Sequence, residues 1–187
     1  MSDPDDILND ARKKMKGAVS RTRQEFGKIR TGRANPQLLE DLPVEYYGTK
    51  VPLQQLAGIS VPEARMLVIS PFDQSAMKEI ERAIIASDLG LNPNNDGQVI
   101  RVVFPELTEE RRKDFVRHTR EKAEEGRVSV RNIRRQAKQD LQRLADDGAA
   151  SEDEVRRAES KLQDITDDHV GQIDELLTNK EQELLEV

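Results

Sequence analysis

Acidic and basic groups, 36 Asp/Glu and 30 Lys/Arg, make up most of the side chains able to do chemistry in this 187-residue chain. It has no cysteine and two histidines, His118 and His169. A disulfide framework, a thiolate metal site and a cysteine nucleophile are therefore excluded. Neither histidine has a partner at metal-ligand spacing, and His169 falls on an apolar helical stripe, where a buried structural histidine is the simpler reading. The sequence has no Walker loop, G-x-G-x-x-G run, G-x-S-x-G elbow or H-E-x-x-H motif. Asn92 to Gly97 resembles a calcium loop only faintly, because Asn92 fills the first position and Val103 the twelfth, where a bidentate Glu is required. The adjacent acids Glu109-Glu110 and Glu124-Glu125 diverge on a helix, and the first pair suits a helix N-terminus. The expectation is a protein that is not an enzyme and needs no cofactor and no metal.

One pattern points to a partner. With Val130, Ile133 and Ala137 set as the core face of a helix, Lys113, Arg117, Arg120, Arg127, Arg131, Arg134, Arg135 and Lys138 fall in one flanking sector of roughly 100°. Glu124 interrupts the row at its one wide gap. Such a row can follow a phosphate backbone through planar guanidinium groups. The alternative is salt bridging to an acidic neighbouring helix, most readily by Arg134, which lies nearest the core face. No aromatic platform accompanies the row: Phe115 is on the core face, and Tyr46-Tyr47 lie elsewhere in the chain. Phosphate and shape recognition of folded RNA or duplex is thus favoured over base stacking.

The charge distribution agrees. The net charge of −6 argues against nucleic acid by itself, but residues 1–35 and 106–145 carry +4 each, residues 36–105 carry −4 and residues 146–187 carry −10. Segregation of this kind lets a molecule dock on a polyanion in one orientation. Hydrophobic and charged residues each make up 35%, aromatics only 3%. That composition fits long charged helices burying one stripe each. No apolar run exceeds four residues, and the acidic N-terminus resembles neither a signal nor a transit peptide. The expectation is a cytoplasmic protein that makes no membrane contact.

Three helices must carry these residues. Ser2 or Asp3 can cap the first and Pro4 suits its first turn. Leu8, Arg12, Met15, Val19, Thr22, Phe26 and Ile29 share a face, and Thr31 to Pro36 break it. Thr108 caps the second, whose stripe runs Phe115, Thr119, Ala123, Gly126, Val130, Ile133, Ala137, Leu141 and Leu144. Ser151 and Glu154 have capping-box spacing and open the third, with Val155, Ala158, Leu162, Ile165, His169, Ile173, Leu176 and Leu184 inward. Between the first two lies a small α+β unit. It has a hairpin turning at Gly48-Thr49, strands at 59–61, 65–69 and 99–103, a helix from Asp73 or Ser75 to Leu89, and a loop at 92–97. The expected fold is α+β with two domains: a three-helix bundle of residues 1–30 and 106–187, and an inserted domain of residues 31–105. The chain crosses between them twice, near Gly and Pro. Either a hinge at Arg30, Thr31, Gly32, Phe104 and Pro105 or a fixed interface satisfies that pattern.

Five segments resemble the bacterial ribosome recycling factors: Lys28-Ile29-Arg30-Thr31-Gly32-Arg33-Ala34-Asn35-Pro36, Val44-Glu45-Tyr46-Tyr47-Gly48-Thr49, Ala86 to Asn94, Leu107 to Lys113, and Val130-Arg131-Asn132-Ile133-Arg134-Arg135. They occur in family order and span most of the chain. The resemblance implies an L-shaped, monomeric molecule, an elongated three-helix bundle with an inserted β/α/β domain. It implies binding in the intersubunit space of the post-termination ribosome. With elongation factor G and GTP, the protein would promote dissociation into subunits and release from mRNA. Arg131, Arg134 and Arg135 would face large-subunit ribosomal RNA, with Arg127, Arg30, Arg33 and Arg112 as further candidates. Pro105-Glu106 stands where family members often have two prolines. Rival readings of the same residues are a helical interaction scaffold and an RNA-modifying enzyme.

Overall fold

The computed structural model describes residues 3–186. Three long helices form as their periodicity requires: α1 (Pro4–Gly27), α4 (Glu109–Asp146) and α5 (Glu152–Leu185). A short helix, α2 (Gln37–Glu40), follows the first break, and α3 (Met77–Ala86) lies in the sheet region. The start of each long helix is set by local chemistry. Asp3 caps α1 reciprocally with Asp6: the Asp6 N–H donates to the Asp3 carboxylate at 2.8 Å and the Asp3 N–H to Asp6 at 3.3 Å. The alternative cap, Ser2, lies outside the described residues. The Arg111 N–H donates to Thr108 Oγ1 at 3.2 Å. Ser151 and Glu154 close the expected box, at 2.8 and 3.3 Å.

The chain divides into two compact units, Met1–Phe26 with Arg117–Gln182, and Gly27–Val116 with Glu183–Val187. The divisions expected after residues 30 and 105 thus fall after 26 and 116 by compactness, and α4 and α5 contribute to both units.

The first unit is a three-helix bundle. Leu8, Met15, Val19 and Phe26 of α1 are buried, as are Ala123, Val130 and Leu141 of α4 and Val155, Leu162 and Ile173 of α5. Arg12 is exposed and Ala11 takes its inward position, since a helix of 3.6 residues per turn drifts off a strict seven-residue repeat. At Gly126 the three helices meet: a Cβ there would stand 2.3 Å from Thr22 Oγ1 and 3.2 Å from Ile173 Cδ1. Three of the buried polar side chains in this unit bond within their own helices. Thr22 donates to the Ala18 carbonyl at 3.0 Å, Thr166 to Leu162 at 2.7 Å, and His169 Nδ1 lies 2.6 Å from the Ile165 carbonyl. His169 is the structural histidine its stripe suggested.

The second unit holds a two-stranded sheet, β1 (Pro43–Tyr46) with β2 (Thr49–Pro52), and a four-stranded antiparallel sheet. The larger sheet has the order β3 (Ala57–Glu63), β4 (Met66–Pro71), β6 (Ile100–Val103), β5 (Asn92–Asn95). Leu67 and Ile69 of β4 alternate inward with Ile100 and Val102 of β6, and meet Met77, Ile80 and Ile84 of α3 and Phe104 in one apolar core. Three expectations change. The hairpin turns at Tyr47-Gly48, one residue early, because those two adopt positive φ, 49° and 78°. α3 stops at Ala86, where the Ser87 hydroxyl donates to the Ile84 carbonyl at 2.6 Å. Asn92 to Asn95, expected as loop, pair with β6 as an edge strand. That position tolerates Pro93, since one side of the strand has no neighbour.

Candidate nucleic-acid interface

The basic row lies on α4, and its members differ in what holds them. Arg127 is the most enclosed, its side chain 19% exposed. Its Nε donates to Asp174 Oδ1 of α5 at 2.7 Å and its Nη1 to Glu124 at 3.0 Å. One turn on, the Arg131 Nη1 donates to the other Glu124 oxygen at 3.1 Å, with half the Arg131 side chain open to solvent. Arg134 is half-buried and donates to the neutral Gln163 Oε1 at 2.8 Å. Arg135 is exposed, and its guanidinium has no hydrogen bond or ion pair among the described residues. Lys138 reaches Glu159 at 3.6 Å, and Arg120 pairs with Glu181.

Bridging to the acidic third helix is therefore real but local. It captures Arg127, Arg120 and, at longer range, Lys138, and leaves Arg131, Arg134 and Arg135 without a carboxylate partner on α5. Arg134, expected as the most ready bridge, meets an amide, not a carboxylate. The hydrogen bond from Arg127, with that from Arg131, holds the Glu124 carboxyl below its ordinary pKa, so the acid stays charged at neutral pH. Asp174 and Gln163 are partners that the α4 pattern could not name, lying 47 and 29 residues away from theirs in sequence. The excess of acids in α5 signalled a partner such as Asp174, and nothing in the sequence signalled Gln163.

Arg30, Arg33 and Arg112 belong to the other unit. Arg30 turns inward: it donates to the Leu89 carbonyl at 3.1 Å and to the Pro105 carbonyl at 2.8 Å, and its guanidinium lies 5.8 Å from the Phe104 ring centre. Its Nε is buried without a hydrogen-bond partner among the described residues. Burial, and then the charge of Arg111, lowers its pKa from the ordinary arginine value. Arg33 is exposed and pairs with Glu186 at 3.2 Å. Arg112 is half-buried, and its charge helps lower the Glu109 pKa from the ordinary glutamate value, after the hydrogen bond and charge of Lys113.

The expected hinge residues are anchored within that same unit. Thr31 is buried and its Oγ1 accepts from the Arg33 N–H at 3.2 Å. Phe104 is fully buried, and its N–H donates to the Arg65 carbonyl at 2.7 Å. Gly32 has open space where a Cβ would stand. Arg30, Thr31, Gly32, Phe104 and Pro105 all fall in one compact unit. No three acidic or histidine side chains among the described residues form a metal-binding group, and no described helix is long and apolar enough to cross a membrane.

Comparison with known proteins decides the lineage. The model of the family described as "Ribosome recycling factor" matches residues 22–185. This chain belongs to the ribosome recycling factor family. A ribosome-recycling factor from Kineococcus radiotolerans is 56% identical over 183 residues, covering 98% of this chain and 99% of that protein. One from Rubrobacter xylanophilus is 56% identical over 187 residues and matches both chains completely. A solution structure of a ribosome recycling factor superposes with a TM-score of 0.79 at 45% identity over the whole of both chains. A second solved structure, at TM-score 0.70 and 48% identity, covers 99% of this chain and 100% of its own. It comes from models of the Thermus thermophilus ribosome recycling factor and the Escherichia coli elongation factor G bound to the E. coli post-termination complex. Family membership makes the fold of long helices plus a small sheet domain the family's own.

Proposed function

We propose that this chain binds the post-termination ribosome and, with elongation factor G and GTP, promotes its dissociation into subunits and release from mRNA. Family membership over nearly the whole chain supports the activity. One structural relative belongs to a set of models of a post-termination complex with elongation factor G, which supports the partners. The protein does no bond chemistry itself; the GTPase supplies the energy and this chain supplies an anchor and a lever. It acts in the cytoplasm, as a monomer, in the intersubunit space.

The observation that carries the RNA contact is the open set Arg131, Arg134 and Arg135 on one flank of α4, which has donors to spare after its internal bonds. These three hold large-subunit ribosomal RNA through phosphates. Arg127 braces the row from behind, being committed to Asp174 and Glu124. Arg30 ties its own unit together, and Arg33 and Arg112 are secondary contacts. Arg30, Phe104 and Pro105 move with the small unit when the GTPase acts on it, so the unit swings as one body.

Ribosome co-sedimentation at graded salt tests the contact. The double reversal Arg131→Glu with Arg134→Glu is expected to lower affinity by about a hundredfold or more, and to flatten the salt dependence, since each lost phosphate contact removes nearly one unit of slope. Melting temperature should change little. Undiminished binding would remove α4 from the interface. Cross-linking the small unit to the bundle should impair splitting while sparing binding; normal splitting would remove the swing.

A further inference from the structure

Four charged groups form a chain across the α4–α5 seam: Asp174, Arg127, Glu124 and Arg131. Arg127 is gripped from both sides, by Asp174 at 2.7 Å and Glu124 at 3.0 Å. Glu124 is held in turn, because one carboxylate oxygen accepts from Arg127 and the other from Arg131 at 3.1 Å. Its side chain remains 54% exposed. A negative charge is thereby fixed against a guanidinium that otherwise faces solvent. Of the three acids between Arg120 and Arg127 in sequence, it is the one that falls in the sector of the basic row.

The neighbouring position shows what orientation alone requires. Arg134 is oriented by Gln163, a neutral acceptor at 2.8 Å. An amide of this kind positions a guanidinium without repelling an anion. Glu124 takes one N–H of Arg131 and adds a full negative charge beside the place a phosphate would occupy. Arg127 prevents it from swinging aside. Two like charges about 6 Å apart in water repel by roughly 0.7 kcal/mol, a factor of about three, and more where solvent is partly excluded.

We propose that Glu124 is a fixed competitor for phosphate at Arg131, an affinity-lowering residue built into the RNA-binding face. It keeps the strongest part of the row from gripping too tightly, so that a factor used repeatedly can leave each ribosome. The inference rests on the reading that Arg131 meets ribosomal RNA phosphate.

The test is Glu124→Gln in the full-length protein, which removes the charge and keeps one acceptor oxygen where Arg127 and Arg131 now each use their own. Affinity for purified vacant ribosomes at fixed salt is expected to rise about three- to tenfold, through slower dissociation, with a steeper salt dependence. The gain should disappear in an Arg131→Gln background, as a double-mutant cycle would show. Asp153→Asn, an equal charge change at an exposed site in the first turn of α5, should leave affinity within about twofold: it lies on the order of 30 Å along the helix from Asp174, the Arg127 partner, where an exposed charge is screened. Weaker binding by Glu124→Gln would make Glu124 a positioning residue and overturn the proposal. Unchanged binding, or a gain that survives loss of Arg131, would overturn it too. Failure of the underlying face reads differently: there the Arg131→Glu, Arg134→Glu protein would still bind.

Discussion

The bundle and the small unit bury different kinds of side chain. Thr22, Thr119, Thr166, His169 and Lys180 are all buried on the long helices, beside alanines and Gly126. Thr22, Thr166 and His169 satisfy themselves on carbonyls one turn back in their own helix. A helix can therefore carry a polar group into the seam without needing a partner from another element. The small unit instead gathers Leu67, Ile69, Ile80, Ile84, Ile100 and Phe104 from strands and helix far apart in sequence. Its one inward-turned guanidinium, Arg30, bonds carbonyls 59 and 75 residues away. The bundle ties α4 to α5 with cations along the edge of the seam, as Arg127 does with Asp174, whereas the small unit turns an arginine inward onto distant carbonyls to hold itself together.

The sharpest way to break this contrast is at Phe104. Phe104→Ala should destabilise the small unit by about 3–5 kcal/mol, as for a fully buried aromatic, seen as lost amide-exchange protection in β4 and β6. A small uniform loss across the whole chain would mean that the two interiors are not separate. In the bundle, Gly126→Val should cost about 1–3 kcal/mol or more from overpacking against Thr22 and Ile173, read by denaturant unfolding. An unchanged midpoint would show that the seam yields more than its close approach implies.

Arg30→Met keeps much of the packing on Phe104 and removes two hydrogen bonds, so about 1–3 kcal/mol of small-unit stability should go with ribosome affinity nearly intact. Lost affinity at full stability would instead make Arg30 an RNA contact. The smallest effect is at Asp96. Its carboxyl is lowered to about 2, first by the Val99 N–H and then by the Gln98 N–H and Arg101. A folded value below the unfolded one gives stability present above about pH 4 and lost as pH falls through about 2. A melting-temperature series from pH 5 to pH 2 should fall less steeply in Asp96→Asn than in the parent chain. Parallel curves would show that this exposed turn contributes no pH dependence.

Much of this was readable beforehand where the physics is local. The three stripes, the Asp3, Thr108 and Ser151 caps and the basic flank of α4 depend on residues three or four apart, and the structure keeps them except at Arg12, which yields its inward place to Ala11. β5 was not readable, because Asn92-Pro93-Asn94-Asn95 has little strand preference and becomes a strand only by pairing with β6. The ranking of the arginines was not readable either. Arg127, Arg131, Arg134 and Arg135 look alike along the chain, yet one is enclosed, one is checked by an acid, one is set by an amide and one is open.

The sequence by itself determined the helices, their inward stripes, the insertion of a small α+β unit between α1 and α4, and the family, since these follow from short-range periodicity and contiguous motifs. Only the tertiary structure decided which cations remain available and where the chain passes between its compact units. Both depend on groups brought together from distant positions, Asp174 to Arg127 and Pro105 to Arg30, and the free energy of a charge is set by its neighbours in space.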